Sequence, residues 1–508
     1  MSEFKVYNSY TRQKEVFTSI TPGHVGMYVC GPTVSGESHL GHARPYITFD
    51  VIYRYLTYLG NKVRYVRNIT DAGHFEEEGR EAEDKISKKA ILEKLEPMEL
   101  VQKYTNLFHW AMDQFNTIPP TIEPTATGHI VEQIGMIEQI IEAGYGYAVN
   151  GSVYFDVKKY AASHNYGKLS GRIMDDLLET TRELEGQAEK RDTADFALWK
   201  NASPEHIMRW KSPWGVGFPG WHIECSAMAT KYLGAQFDIH GGGMDLLFPH
   251  HESEIAQSTI CNQPAGQAGH FSPVRYWIHN NMITINGKKM GKSYNNVIKL
   301  TELFSGDHPV LEKAYHPMVV RFFILQTQYR STLDFGNEAL QAAEKGLKRL
   351  WDAYEKLDAL SAEAEVQTVG SAVDNDLDLK VKKLIGELDE FMNDDFNTAK
   401  VLANLFELVP VINSMKDKTI AVSALSKDTF DVLQKQLKVF IEDILGLKSV
   451  NEADNEKLKG VMDLLIEIRK DSKNKKDFAT SDKIRNQLAE LGINLKDEKG
   501  GEMSWSID

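Results

Sequence analysis

Three stretches of the 508-residue chain gather residue types that do chemistry. In HGGGMDLLFPHHESE, running from His240 to Glu254, three glycines precede an aspartate, two adjacent histidines and two glutamates. Glycine leaves bare backbone against which a nucleotide can lie. His250 and Glu254 are four apart, on one face of a helix, which suits a metal ion, whereas His251 and Glu252 are expected to point elsewhere. HLGH, His39 to His42, places its histidines where a helix begins, so that both can face a phosphate drawn to the free backbone donors of the first turn. GKKMGKS sets Lys289 and Lys292 around a glycine, two cations able to close over a polyphosphate as its charge shifts. Taken singly, each has an ordinary reading as incidental histidines or a solvated lysine loop.

The elements that would position these groups follow from periodicity. HVGMYVC is a strand ending at Cys30, the loop GPTVSGES follows, and a helix is expected from about Gly41 to Leu59, closed by Gly60. KVRYVRNIT returns as a second strand. Strand, helix, strand at this spacing is a βαβ unit, whose ligands sit beyond the carboxyl ends of the strands, where Cys30 and Thr70 fall. AQFDIH is a further strand running into the glycines, a helix spans about His250 to Asn262, and YWIHNNMITI is one strand leading to the lysine loop. From about Phe335 helical periodicity in Leu, Ala, Glu and Lys takes over, and LKDEKGGEMSW reads as a terminal hairpin.

Composition bounds the rest. The length implies two to four domains. No apolar signal core opens the chain and no run of eighteen apolar residues occurs, so a cytoplasmic protein without a membrane partner is expected. Three cysteines, Cys30, Cys225 and Cys261, are too few for a disulfide scaffold. The net charge of −14 argues against non-specific coating of nucleic acid. Arg469 to Arg485 nevertheless holds seven lysines and arginines against three aspartates, either a solvated helix surface or a phosphate-binding face.

HLGH and GKKMGKS, in this order, resemble the HIGH and KMSKS signatures of class I aminoacyl-tRNA synthetases. YVCGPTV, HLGHAR, NITD, GWHIECSAM, HGGGMDLLFPHHESEIAQS and MNDDFNTA narrow the resemblance to the cysteinyl enzymes of that class. It implies an α/β fold: a Rossmann-type parallel-sheet catalytic domain in two halves (1–118 and 220–335) around a connective insertion (119–219), then a helical-bundle domain (336–450) and a small mixed C-terminal domain (451–508). It implies one Zn²⁺ per chain on Cys30, Cys225, His250 and Glu254, a borderline-soft donor set. Cys261, which has no such partners, is expected to be core filler. Gly41, Gly241, Gly243, Met244, Asp245 and Lys292 would line the ATP and adenylate site. His39, His42, Lys289 and Lys292 would stabilise charge on the transferring phosphate, and Mg²⁺ would accompany ATP. Thr70 and Trp221 would contact the cysteine substrate.

The implied reaction is ATP-dependent activation of L-cysteine and transfer to tRNA(Cys) by a monomer. Zinc would separate cysteine from serine, since a thiolate is a soft ligand and a hydroxyl a hard one. Two thiolates and a carboxylate already leave the metal site net negative, so one ligand should be weak, and Glu254 is the hardest. Gly291 stands where KMSKS has its first serine, and AGHFEEEGREAE intervenes after NITD, leaving His74 without a role. Two other readings share these motifs in part: a cysteine ligase acting on a small amino sugar, whose relatives lack the long C-terminal region, and a non-catalytic zinc-stabilised RNA-binding protein, against which intact HLGH and KMGKS argue.

Overall fold

HVGMYV forms strand β1 (His24–Val29). It pairs in parallel with β2 (Lys62–Arg67), His24 opposite Lys62 and Val29 opposite Arg67. On its other side lies β3 (Phe237–Gly243), Gly241 opposite Val29. β4 (Val274–Asn280) completes a parallel sheet ordered β4-β3-β1-β2. Val25, Met27, Ile239, Tyr276 and Ile278 are buried along it, the apolar content of parallel strands covered on both faces. The computed structural model describes residues 3–72, 86, 89–90, 95–172, 189–204, 206–263, 271–291, 294–364, 373–475, 477–490, 493–497 and 503–507. The segment around His74 and residue Lys292 lie outside the described residues.

Helix α1 (Leu40–Tyr58) is the expected crossover between β1 and β2. Beyond α2 (Pro97–Gln114), the insertion pairs α3 (Ile130–Glu142) with a five-stranded antiparallel sheet. Ile137, Ile140, Val153, Phe155 and Trp199 fill its core. The second half brings α4 (Trp221–Leu233) and α5 (Glu252–Asn262) onto the parallel sheet. YWIHNNMITI is not one strand. It breaks after Asn280, and Ile283–Ile285 joins a separate sheet with Lys288–Lys289 and Leu333–Phe335. The break has a polar cause: the Asn281 N–H donates to the Tyr329 carbonyl at 2.8 Å, and the Met282 carbonyl accepts from Arg44 Nη1 at 2.6 Å and from the Leu333 N–H at 3.3 Å, which turns the chain into the second sheet.

Helix α6 (Pro317–Leu325) leads into the helical region: α7 (Asn337–Ala364), α8 (Asn375–Asn393), α9 (Thr398–Lys416) and α10 (Lys427–Lys438). Asp374, Asn397 and Ser426 cap the last three by accepting from backbone N–H groups. Arg321 of α6 is fully buried and ties this region to the parallel-sheet half. It donates to the carbonyls of Leu445 at 2.8 Å and Phe115 at 2.9 Å and to Asp50 Oδ2 at 2.5 Å. Arg54 donates to the same Asp50 oxygen at 2.8 Å, and Asp50 Oδ1 accepts from the Ile118 N–H at 2.7 Å.

The chain divides into two compact units, residues 1–447 and 448–508. The second consists of α11 (Val450–Asn474), α12 (Phe478–Glu490) and the expected antiparallel hairpin, Ile493–Asp497 with Met503–Ile507. Met462, Leu488 and Ile493 form its core. Arg469 is buried here, so the basic face is carried by its neighbours, with Lys475, Lys483 and Arg485 exposed. Among the described residues no helix is long and apolar enough to cross a membrane.

Candidate active site and metal centre

Cys30 closes β1, and its N–H donates to the Gly241 carbonyl at 3.1 Å, which brings the first half of the sheet to the glycine triplet of the second. Cys225 lies on α4, and His250 and Glu254 straddle the start of α5. These four side chains are buried, and their ligand atoms lie within 4.8 Å of one another. Cys30 Sγ is 3.9 Å from Cys225 Sγ and 3.9 Å from Glu254 Oε1, and His250 Nε2 is 3.1 Å from Glu254 Oε1. Two thiolates on a tetrahedral Zn²⁺ with bonds of about 2.3 Å stand about 3.8 Å apart. The sulfurs are therefore at metal-bridging distance and far beyond a disulfide.

Electrostatics holds two of the four deprotonated, as a metal requires, and opposes deprotonation in the other two. Burial would raise the Cys225 thiol, but the hydrogen bond with Cys30 and the neighbouring His250 hold it below the ordinary range, at about 7. Burial likewise opposes the Glu254 charge, and His240 and His250 overcome it, bringing the carboxyl down to about 2. Cys30 moves the other way, raised by burial and by Cys225. Burial opposes the His250 charge, but Glu254 and Cys225 raise it to about 10, so a metal must displace its proton.

His251 does not point away, as its position in a regular helix suggested. Its Nε2 is 3.2 Å from Cys30 Sγ, and Cys30, His240, His251 and Glu254 form a second candidate ligand set. The reason lies just upstream. Leu247–His251 is a widened turn in which Phe248 is extended (φ −141°, ψ 134°), and regular helix begins only at Glu252. Glu252 does turn away, accepting from the Ser170 N–H at 2.9 Å. Around the cluster stand histidines missed by the sequence reading. His240 Nε2 is 2.8 Å from Glu254 Oε2, His222 Nδ1 is 3.0 Å from His250 Nδ1, and His279 Nε2 is 2.8 Å from His251 Nδ1. The signal was present in part: His251 and Glu254 are three apart, and such pairs are neighbours on a helix surface.

The two residues expected at the amino acid lie against this cluster. The Trp221 ring centroid is 4.2 Å from that of His250. Thr70 reaches it through Asn68, whose Oδ1 is 3.7 Å from Cys225 Sγ and whose amide donates to Thr70 Oγ1 at 3.1 Å. Cys261 is half-buried and stands apart, its Sγ 3.6 Å from the Met136 carbonyl.

HLGH and the lysine loop also meet. A side chain at Gly41 would come within 2.8 Å of the Met290 methyl and 2.9 Å of the His39 ring, so the bare backbone here lets the loop approach closely. The Leu40 N–H donates to the Ile298 carbonyl at 2.9 Å. His39 and His42 are stacked at 3.9 Å. His39 Nδ1 accepts from the Gly41 N–H and His42 Nδ1 from the His39 N–H, both at 3.1 Å. An accepting Nδ1 is unprotonated, so Nε2 carries the proton of each neutral ring. Desolvation, with His39 adding, pushes His42 down to about 3, which keeps it neutral near pH 7. Lys289 is exposed on the loop. Gly241 is buried, a side chain there meeting the Phe49 ring at 2.0 Å, so it serves close helix–sheet packing. Gly243 is half-buried, and Met244 and Asp245 beyond it are exposed.

HLGH at the start of α1, against the lysine loop and following a strand of a parallel sheet, is the arrangement of a class I synthetase. Residues 16–345 match the family described as tRNA synthetases class I (C) catalytic domain, and residues 388–449 match the DALR domain. The structure resembles the LeuRS–tRNA–LeuAMS ternary complex of Agrobacterium radiobacter K84, with TM-score 0.57, 12% identity, and coverage of 84% of this chain and 85% of that one, a likeness of fold. The cysteine–tRNA ligase of Phocaeicola vulgatus is 56% identical over 100% of this chain and 99% of its own length. That of Bacteroides thetaiotaomicron is 55% identical over 100% and 99%. The chain belongs to the cysteine–tRNA ligase family.

Proposed function

We propose that the protein activates L-cysteine with ATP and transfers it to tRNA(Cys). The observation that carries this reading is the buried Cys–Cys–His–Glu cluster, in a chain similar to cysteine–tRNA ligases along its whole length. That full-length similarity includes residues 336–508 and weighs against an amino-sugar ligase. Cysteine-dependent ATP–pyrophosphate exchange, repeated as charging of purified tRNA(Cys), tests it. Exchange without charging would favour the amino-sugar ligase, and neither activity the non-catalytic reading.

In the first step the cysteine carboxylate attacks the α-phosphorus of ATP. The bond to the bridging oxygen breaks, leaving pyrophosphate and cysteinyl adenylate. The Nε2–H groups of His39 and His42 are the donors that HLGH offers to the developing charge, and their accepting Nδ1 atoms hold both rings in that tautomer. Lys289 and Lys292 close on the leaving pyrophosphate, with Mg²⁺ accompanying ATP. Gly41, Gly243, Met244 and Asp245 flank the adenosine, and Gly241 shapes the sheet behind it. In the second step the terminal ribose hydroxyl of the tRNA takes the cysteinyl group and AMP leaves.

Cys30, Cys225, His250 and Glu254 would hold Zn²⁺, which supplies a soft acceptor for the substrate thiolate and so excludes serine. Of the four, Glu254 is the weak ligand, because His240 already draws on its Oε2. Trp221 walls the cysteine pocket and Thr70 contacts its polar end.

Two expected outcomes follow here. Lys292→Ala lowers the rate of adenylate formation by about a hundredfold or more, the scale of losing one donor to developing charge, while ATP binding in the ground state changes little. Single-turnover kinetics beside equilibrium ATP titration checks this, and equal losses in both would mean uniform binding. Replacing Lys473, Lys475 and Lys483 by glutamine raises the KM for tRNA and lowers its salt slope by about one per lost phosphate contact. Pyrophosphate exchange stays unchanged, because no counterions are released when only ATP and cysteine bind. Unaltered tRNA kinetics across a salt series would return this face to simple solvation.

A further inference from the structure

Thr70 spends its hydrogen-bonding capacity in a fixed direction. Its hydroxyl donates to Glu224 Oε2 at 2.9 Å and accepts from Asn68 Nδ2 at 3.1 Å. Asn68 is oriented in turn, because its Oδ1 accepts from the Gly31 N–H at 2.8 Å. Its amide nitrogen, and not its oxygen, must therefore face Thr70. Gly31 is held tightly there, since a side chain on it would stand 1.4 Å from the Asn68 carbonyl oxygen. All three side chains are buried, Glu224 completely. A hydroxyl has one donor and two lone pairs. With the proton given to Glu224 and one lone pair to Asn68, Thr70 has one lone pair left and can act toward anything else only as an acceptor.

We propose that Glu224 is a positioning residue for the amino acid substrate. By taking the Thr70 proton it makes Thr70 Oγ1 an acceptor-only group, suited to the α-ammonium of cysteine, which is a pure donor. This rests on the reading of Thr70 as the polar contact of the cysteine. Glu224→Gln keeps shape and burial, but the glutamine amide can donate to Thr70. The hydroxyl proton then swings toward the ammonium, where it is repulsive. Hydrogen bonds to charged groups are among the stronger ones, so the KM for cysteine in pyrophosphate exchange is expected to rise about tenfold to a hundredfold, with the KM for ATP and the bound metal unchanged.

The distinguishing probe is 3-mercaptopropionate, which keeps the thiol and carboxylate of cysteine and lacks the ammonium. Its inhibition constant should be the same in wild type and Glu224→Gln. Thr70→Val should itself weaken cysteine, and adding Glu224→Gln to it should cost little more. Equal losses for cysteine and 3-mercaptopropionate in Glu224→Gln would show a structural role and overturn the proposal. Unchanged cysteine affinity in Thr70→Val would instead overturn the reading of Thr70. Should Glu224→Gln fail to fold, Glu224→Asp retains the charge and withdraws the acceptor. A loss confined to cysteine is expected there too, and a loss shared by both compounds again overturns the proposal.

Discussion

Replacing Cys225 by serine is expected to strip the metal and abolish cysteine activation together. Cys225 is the thiol that its neighbours hold below the ordinary range, and so the more ready of the two sulfurs to serve as thiolate. A serine hydroxyl is hard and stays protonated, so the donor set falls from two soft anions to one. Even outer partners of metal ligands are worth tenfold to a hundredfold in affinity or activity. Losing a ligand should therefore lower exchange by more than about a hundredfold, with zinc falling from about one per chain to well below it. Metal analysis of the purified variant reads the first quantity and cysteine-dependent exchange the second. Full, tightly held zinc in Cys225→Ser would remove this residue from the site.

The second large effect is on stability. Asp50 sits between Arg321 and Arg54, and its side chain is essentially inaccessible to water. In Asp50→Ala the Arg321 guanidinium keeps only the carbonyls of Leu445 and Phe115, and its charge remains buried without a carboxylate. Breaking a buried pair from one side costs about 3–5 kcal/mol, and loss of the bond to the Ile118 N–H adds to it. Urea denaturation should show the midpoint falling by that amount divided by the m-value. A loss below about 1 kcal/mol, the scale of an exposed pair, would mean that the bridge is solvated in solution.

The parts of this molecule that could be read from sequence are those with a local period or a joint signature. β1, α1 and β2 follow from alternation and from the apolar run closed by Gly60. His250 and Glu254 follow from a helical interval. The break at Asn281 was not legible, because Tyr329 and Arg44, which capture the flanking backbone groups, are remote in sequence. His251 was misplaced for a related reason: the face rule assumes regular helix, and the extended Phe248 resets the phase. Arg469 was counted on a charged face because composition carries no information about burial, yet it lies inside the second unit. The chain of Asn68, Thr70 and Glu224 could not be seen at all, since the residues that complete it come from opposite sides of the insertion.

That division has a consequence for how the chain is made. Cys30 and Glu254 are separated by 224 positions, and β1 finds one of its two neighbours, β3, only after the insertion is complete. At about 5–20 residues per second, roughly ten to forty-five seconds of translation pass between them. Through that interval β1 and β2 leave the ribosome as a two-stranded fragment, with the β1 edge open on one side. Contacts so distant in sequence close slowly. Assembly of the cysteine pocket therefore waits until half of the 508 residues have been made, and the nascent first half is the stage at which a chaperone has most to shield.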